Sequence, residues 1–72
     1  LLVRSGDSPG VLARVADVIA RLEGNITRAE VVTFADTKAR LTLEIRIRDI
    51  DHLEEILRRI GGLKDVESAE RT

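Results

Sequence analysis

The side chains and backbone groups best suited to hold a small ligand lie in residues 7–12, Asp7 to Leu12, which we call the corner. Ser8 is a good helix N-cap and Pro9 suits the first position of a helix, so we expect a helix to begin here. Gly10 has no Cβ, which lets a ligand approach the free N–H groups at this helix end. Those groups belong to Gly10, Val11 and Leu12. Because the helix dipole adds partial positive charge to them, the corner favours a carboxylate or a phosphate.

Asn25 is a second polar group that could contact a ligand. With Ile26 it begins a new extended segment directly after the predicted helix. We expect the ends of adjacent strands to bring the Asn25 amide close to the corner. A Pro-Gly pair is also common in a plain turn between a strand and a helix, so the corner alone leaves a purely structural role open.

The other side chains with chemical potential have simpler interpretations. His52 is the only histidine, and no metal-ligating or catalytic partners converge on it, so we predict a surface residue and no metal or catalytic site. A basic row on one predicted strand favours a solvated surface over an RNA-binding sheet, because Phe34 is the only aromatic residue available to stack on a base. The row consists of Lys38, Arg40, Arg46 and Arg48.

Composition limits the class of protein. The chain has 72 residues, enough for one domain with a thin core, and it contains one Phe but no Trp, Tyr, Met or Cys. The lack of cysteine excludes a disulfide framework and is typical of the reducing cytoplasm. A net charge of -1 argues against nucleic acid or an anionic membrane as a partner, and no pattern indicates a cofactor, a membrane span or a signal peptide. Since the chain begins inside an apolar run without an initiator Met, we expect residues 1–72 to be a single domain excised from a longer chain.

Hydrophobic periodicity predicts six elements. These are a strand over 1–5, a helix over 9–23, strands over 26–35 and 38–48, a second helix from an Asp49 cap to Gly61-Gly62, and a strand over 64–71. We expect Gly24 to end the first helix in the left-handed conformation and Ile50 to belong to the apolar stripe of the second. The order predicts an α+β fold of ferredoxin-like type, with two helices on one face of a four-stranded antiparallel sheet in the order 4-1-3-2.

The register of the central hairpin depends on which residues would be buried. A two-residue loop at Asp36-Thr37 would place Arg28 and Glu30 on the buried face, which is costly. We therefore predict a three-residue loop over residues 36–38. This register places Ala29, Val31 and Thr33 on the inner face and Val32 and Phe34 on the open face. A bulge or an entry bend near Thr27 lets Ile26 also reach the core.

Val32 and Phe34 would then be exposed apolar residues on an edge strand. Exposed apolar side chains are unfavourable in water, and the small core of this domain does little to offset that cost. We therefore predict a homodimer with its sheets or helices side by side and with these two residues at the interface. An alternative with the same strand order is an acyl-phosphate hydrolase, for which Arg4 and Asn25 are the candidate site residues. The corner supplies too few donors to grip a phosphate in that way, so we predict that the chain is not an enzyme.

Several runs of residues together resemble the ACT domain, a small regulatory module attached to many metabolic enzymes. They are Gly6-Asp7-Ser8-Pro9-Gly10-Val11-Leu12, Gly24-Asn25-Ile26-Thr27, Leu41-Thr42-Leu43-Glu44-Ile45, Asp49-Ile50-Asp51-His52-Leu53 and Leu63-Lys64-Asp65-Val66-Glu67-Ser68. The resemblance covers essentially the whole chain. Among ACT domains, the sequence is similar to those of guanosine tetraphosphate synthetase/hydrolases and of amino-acid biosynthetic enzymes. It implies a domain that binds an amino acid or similar effector at an interface between domains and controls an attached enzyme.

The resemblance also implies which residues hold the ligand. Asn25 matches an asparagine that contacts serine in serine-binding members, whereas Asp7 replaces an asparagine and Ser5 replaces a histidine. A carboxylate at Asp7 favours the ammonium group of an amino acid and leaves the ligand carboxylate to the helix N-terminus. The predicted ligand-binding residues are Asp7, Ser8, Gly10, Val11, Leu12 and Asn25. Many ACT domains bind no known ligand, so the alternative is a ligand-free module for protein assembly.

Overall fold

The computed structural model describes residues 1–6, 10–34 and 37–72, and its elements follow the predicted order. They are β1 (Leu2–Gly6), α1 (Val11–Arg21), β2 (Asn25–Phe34), β3 (Lys38–Arg46), α2 (Ile50–Gly61) and β4 (Val66–Glu70). The strands form one four-stranded sheet in the order β2-β3-β1-β4, and every neighbouring pair is antiparallel. The predicted ferredoxin-like fold and strand order are confirmed.

The core lies between the two helices and the inner face of the sheet. It consists of aliphatic side chains, as expected for a chain with a single aromatic residue. The aliphatic residues with no measurable exposure are Val3, Val15, Ile19, Leu41, Ile56 and Ile60. Each large aliphatic side chain at such a position contributes about 2 to 5 kcal/mol relative to alanine, so a few of them account for much of the stability of the domain.

Helix α1 begins later than predicted. Its N-cap is Gly10, which has a φ of 83°, and within the described part of the chain no side chain caps the helix. A left-handed residue cannot continue a right-handed helix, so α1 begins at Val11. Gly10 fits this position because it has no Cβ. The predicted cap Ser8 and first helical residue Pro9 lie outside the described residues.

Helix α1 also ends differently from the prediction. The left-handed residue is Glu23, with a φ of 64°, and not Gly24. The N–H of Glu23 donates to the Ala20 carbonyl and the N–H of Gly24 donates to the Ile19 carbonyl, at 3.0 and 2.8 Å, which is the Schellman pattern. Gly24 is required for a different reason, because a Cβ there would lie 2.8 Å from Ile19 Cγ2.

Helix α2 confirms its predicted cap but buries an unexpected residue. The Asp49 carboxylate accepts a hydrogen bond from the His52 N–H at 2.8 Å. His52 itself is only 4% exposed, so the prediction of a surface histidine is wrong. Its spacing of four and eight residues from Ile56 and Ile60 places it on the buried stripe. Ile50, predicted for that stripe, is 49% exposed, because two residues turn a helix by about 200° away from His52.

The central hairpin has the predicted faces but a shifted loop. Its last pair is Phe34 with Lys38, whereas the predicted loop over 36–38 would pair residue 35 with Ala39. The shift moves the pairing by two residues, which preserves which face each side chain occupies. The predicted irregularity is present between Ile26 and Arg28, and Ile26 packs against the core.

Strand β2 is an edge strand whose inner face is poorly covered. Val31 lies opposite Leu41 on the side of the sheet that carries the core, yet it is 43% exposed. On the open face, Val32 is half-buried and Phe34 is 47% exposed. The edge therefore presents apolar side chains on both faces together with the free hydrogen-bonding groups of an unpaired strand side.

Candidate functional site

The described part of the corner is the N-terminus of α1. Gly10 is exposed, Val11 is buried with 7% exposure, and Leu12 is 37% exposed. The first N–H groups of a helix have no acceptor within the helix, so these groups point toward any ligand in front of it. Asp7 and Ser8, the side-chain donors and acceptors predicted for this site, lie outside the described residues.

Arg14 adds a cation to the corner that the sequence interpretation missed. Its guanidinium Nη1 would lie 3.3 Å from a Cβ built on Gly10, and its Nη2 forms an ion pair with the Asp65 carboxylate. The Asp65 carbonyl in turn accepts a hydrogen bond from the Gly6 N–H at 3.0 Å. The sequence spacing could have indicated this contact between Arg14 and Gly10, because a residue four positions after Gly10 lies one turn further along the same helix face.

Ser5 adds an unusual polar group to the same end of the sheet. It is fully buried, pairs with Ala39 and Val66, and among the described residues its Oγ has no hydrogen-bond partner. Buried hydroxyls without partners are rare, because losing water without replacement costs free energy. Ser5 lies two residues before Asp7, so this buried hydroxyl is at the strand end that leads into the corner.

Asn25 lies far from the corner within one copy of the chain, and the expected proximity is wrong. Gly6 pairs with Lys38 and Asn25 pairs with Arg46, so the two positions lie eight residues apart along β3. That separation corresponds to about 26 Å at the rise of a β-strand. The physical reason is the direction of the chain, since α1 returns it to the opposite end of the sheet before β2 starts.

The open face of the sheet carries most of the predicted basic row. Arg40 lies over the Phe34 ring with its guanidinium carbon 5.8 Å from the ring centroid, and Lys38 forms an ion pair with Glu67. Arg46 ends β3, but Arg48 lies beyond that strand and pairs with Glu23 at 3.3 Å.

The hydrolase alternative finds no support in this geometry. Arg4 pairs with Arg40 and Asn25 pairs with Arg46, so the two candidate residues lie opposite positions six residues apart in β3. They cannot converge on one phosphate. Among the described ranges 1–6, 10–34 and 37–72, no group of three acidic, histidine or cysteine residues is placed to hold a metal ion. Within these ranges, no helix has the length and apolar character needed to cross a membrane.

The fold and the corner define a class, a βαββαβ domain that offers a helix N-terminus at one end of its sheet. The chain belongs to the ACT domain family, whose family model matches residues 1–71. ACT domains are regulatory modules, which agrees with the prediction that the chain is not itself a catalyst.

Two relatives locate the chain within this family. It is 34% identical over 71 residues to a GTP pyrophosphokinase of Myxococcus xanthus, covering 99% of this chain but only 9% of that protein. Its fold matches the crystal structure of the ACT domain from GTP pyrophosphokinase of Chlorobium tepidum with a TM-score of 0.83 and 20% identity. That match covers 99% of this chain and 91% of the other.

Proposed function

We propose that the chain is a regulatory domain that binds an amino acid and passes the state of its site to an attached enzyme. The observation that carries the proposal is the corner, where the N-terminus of α1, the Arg14 guanidinium and the Ser5 hydroxyl, which has no partner among the described residues, belong to the same end of the sheet. The Myxococcus xanthus relative is a GTP pyrophosphokinase, and this chain spans only 9% of the length of that protein. We therefore propose residues 1–72 as one domain of a longer protein with a related activity.

The chemistry of the corner favours a zwitterion. The N–H groups of Gly10 and Val11 favour the ligand carboxylate, since the dipole of α1 makes its N-terminus partly positive. The Asp7 carboxylate is the acceptor for the ligand ammonium group, because it is the charged side chain of opposite sign in the same segment.

Asn25 joins this site in the proposal only through a second copy of the chain. If the β2 strands of two copies pair along their free edges in antiparallel fashion, the Asn25 end of one β2 lies beside the Phe34 end of the other. Phe34 and Gly6 both pair with Lys38. The Phe34 end of β2 and the Gly6 end of β1 therefore lie at the same end of the sheet. Helix α1 packs toward β2 and α2 packs toward β4, so the corner belongs to the half of the domain nearest this edge.

A thermal-shift screen of the common amino acids against the 72-residue chain tests the proposal. A ligand at a hundred times its dissociation constant stabilises a protein by about 2.7 kcal/mol, which moves the midpoint of a domain this small by several degrees. We expect one or a few amino acids to register. An absence of any shift would support the ligand-free assembly module instead, for which the exposed Val31 and Phe34 on the edge strand are the supporting observation.

A further inference from the structure

The open face of the sheet carries a concave site that the effector proposal does not use. Its cavity has a volume of about 330 Å³. The lining residues are Arg4, Phe34, Lys38, Ala39, Arg40 and Glu67, which come from all four strands. We propose that this cavity binds a mononucleotide carrying a diphosphate, with the phosphates on Arg4 and Arg40 and the base on Phe34.

The charges of the cavity indicate an anionic ligand. Arg4 and Arg40 are direct partners in the β1–β3 register, and like charges in opposed positions destabilise a sheet unless an anion compensates them. Among the described residues, neither guanidinium lies within ion-pair distance of a carboxylate, whereas Lys38 is paired with Glu67. Two uncompensated guanidinium groups therefore remain, and their planar forks match the oxygens of a phosphate.

The aromatic ring beside these cations supplies the second half of the recognition. Phe34 is 47% exposed and lines the same cavity, and Arg40 lies 5.8 Å from its ring centroid. Exposed aromatic rings on sheets stack on nucleobases. Because Phe34 is the only aromatic residue in the chain, one base can stack here, whereas a nucleic acid strand uses several rings in succession. The cavity volume falls in the range of small-molecule sites.

This site lies on a different face of the domain from the corner, although Phe34 is also a residue of the predicted dimer edge. It lies on the open face of the sheet, whereas the corner belongs to the end of the layer that carries the helices. Arg4 and Arg40 line the cavity but belong neither to the corner nor to the predicted dimer interface, so their variants test this site separately from the effector site.

Isothermal titration of the 72-residue chain with ADP tests the phosphate half of the proposal. We expect Arg4→Gln and Arg40→Gln each to weaken ADP binding by about tenfold or more, because each removes a charge-assisted bidentate contact. Arg46→Gln is the matched control, since Arg46 lies on the same strand and the same face but does not line the cavity. Equal loss in the control, or no binding of ADP at millimolar concentration, would overturn the proposal.

Phe34→Leu tests the base half, because leucine keeps an apolar side chain but cannot stack. In the unmodified chain we expect ADP to bind more tightly than pyrophosphate and adenosine to bind weakly. In the variant we expect ADP and pyrophosphate to bind alike. If pyrophosphate already matches ADP in the unmodified chain, the cavity is not a nucleotide site. Sedimentation equilibrium on each variant checks that a change of oligomeric state does not cause the loss.

Discussion

His52 donates a hydrogen bond from its Nε2 to the backbone carbonyl of Leu22, thirty residues away at the C-terminus of α1. Its other ring nitrogen, Nδ1, accepts from the Arg48 N–H at 3.0 Å, so the two bonds together select the neutral tautomer with the proton on Nε2. The ring thereby connects the end of α1 to the start of α2, and its role in this fold is structural.

We predict that His52→Ala lowers the free energy of unfolding by about 2 to 4 kcal/mol, because it leaves two backbone groups without partners and opens a cavity. Urea denaturation measures this change. His52→Gln should recover part of the loss, since an amide offers both a donor and an acceptor. Arg58→Ala, at an exposed position of α2, should change stability by less than about 0.5 kcal/mol. A similarly small effect of His52→Ala would show that the connection between the helices is unimportant.

The second prediction concerns the residues that end α1. Glu23 is left-handed, so Glu23→Gly should be more stable than Glu23→Ala by about 1 kcal/mol, because only glycine avoids the steric cost of positive φ. Both variants lose the exposed pair with Arg48, which therefore cancels in the comparison. Gly24→Ala should destabilise the chain, since its Cβ would contact Ile19 at 2.8 Å. Thermal denaturation of the three variants gives the order, and equal stability of the two Glu23 variants would contradict the assignment.

The third prediction concerns the start of α1. Gly10→Ala should lower the free energy of unfolding by about 1 to 2 kcal/mol, because its φ of 83° is costly for any residue with a Cβ. The matched control is Gly61→Ala in α2, where a Cβ would meet nothing within 4 Å and φ is not positive. We expect that variant to be about 0.5 to 1 kcal/mol more stable than the unmodified chain. Urea denaturation separates the two, and a neutral Gly10→Ala would remove the conformational argument for glycine at the corner.

The fourth prediction concerns self-association through Val32 and Phe34. Sedimentation equilibrium should show a dimer of the 8.0 kDa chain at micromolar concentration, because the β2 edge exposes apolar side chains and unpaired backbone groups. Phe34→Glu should weaken the dimer more than Arg58→Glu, a change on the outer face of α2. Equal effects would mean that another surface forms the interface, and a monomer at high micromolar concentration would refute the dimer.

The fifth prediction tests whether the effector site is shared between two copies. Asn25→Ala should weaken amino-acid binding by about 1 to 3 kcal/mol, because it removes a hydrogen bond to a largely desolvated ligand. Asp7→Asn should weaken binding of an amino acid but spare a simple carboxylic acid, since it removes only the charge that faces the ammonium group.

Mixing these two variants gives the sharper result. If each site takes Asp7 from one copy and Asn25 from the other, statistical pairing of the two variants restores about a quarter of the original sites. Calorimetric titration of the mixture measures that stoichiometry. A site built within one copy would instead stay impaired after mixing, because every copy then carries one defective residue.

The sequence by itself determined the fold and the faces of its elements. The alternation of apolar residues in β3 and the charges of β2 were enough to predict which side of the hairpin is buried, because a strand exchanges faces with a period of two. The Asp49 cap was equally predictable, since capping depends on a few neighbouring residues. Such local rules act before any long-range contact is known.

Only the tertiary structure decided the features that depend on distant contacts. His52 is buried because Leu22 and Arg48 supply partners for both ring nitrogens. No residue near His52 in the sequence indicates that Leu22 is one of these partners. Arg14 belongs to the corner because Asp65 arrives there from the loop before β4. Asn25 is separated from the corner because of the direction of β2 in the sheet. Hydrophobic periodicity indicates which face of a strand is buried, but it does not indicate at which end of the sheet the strand begins.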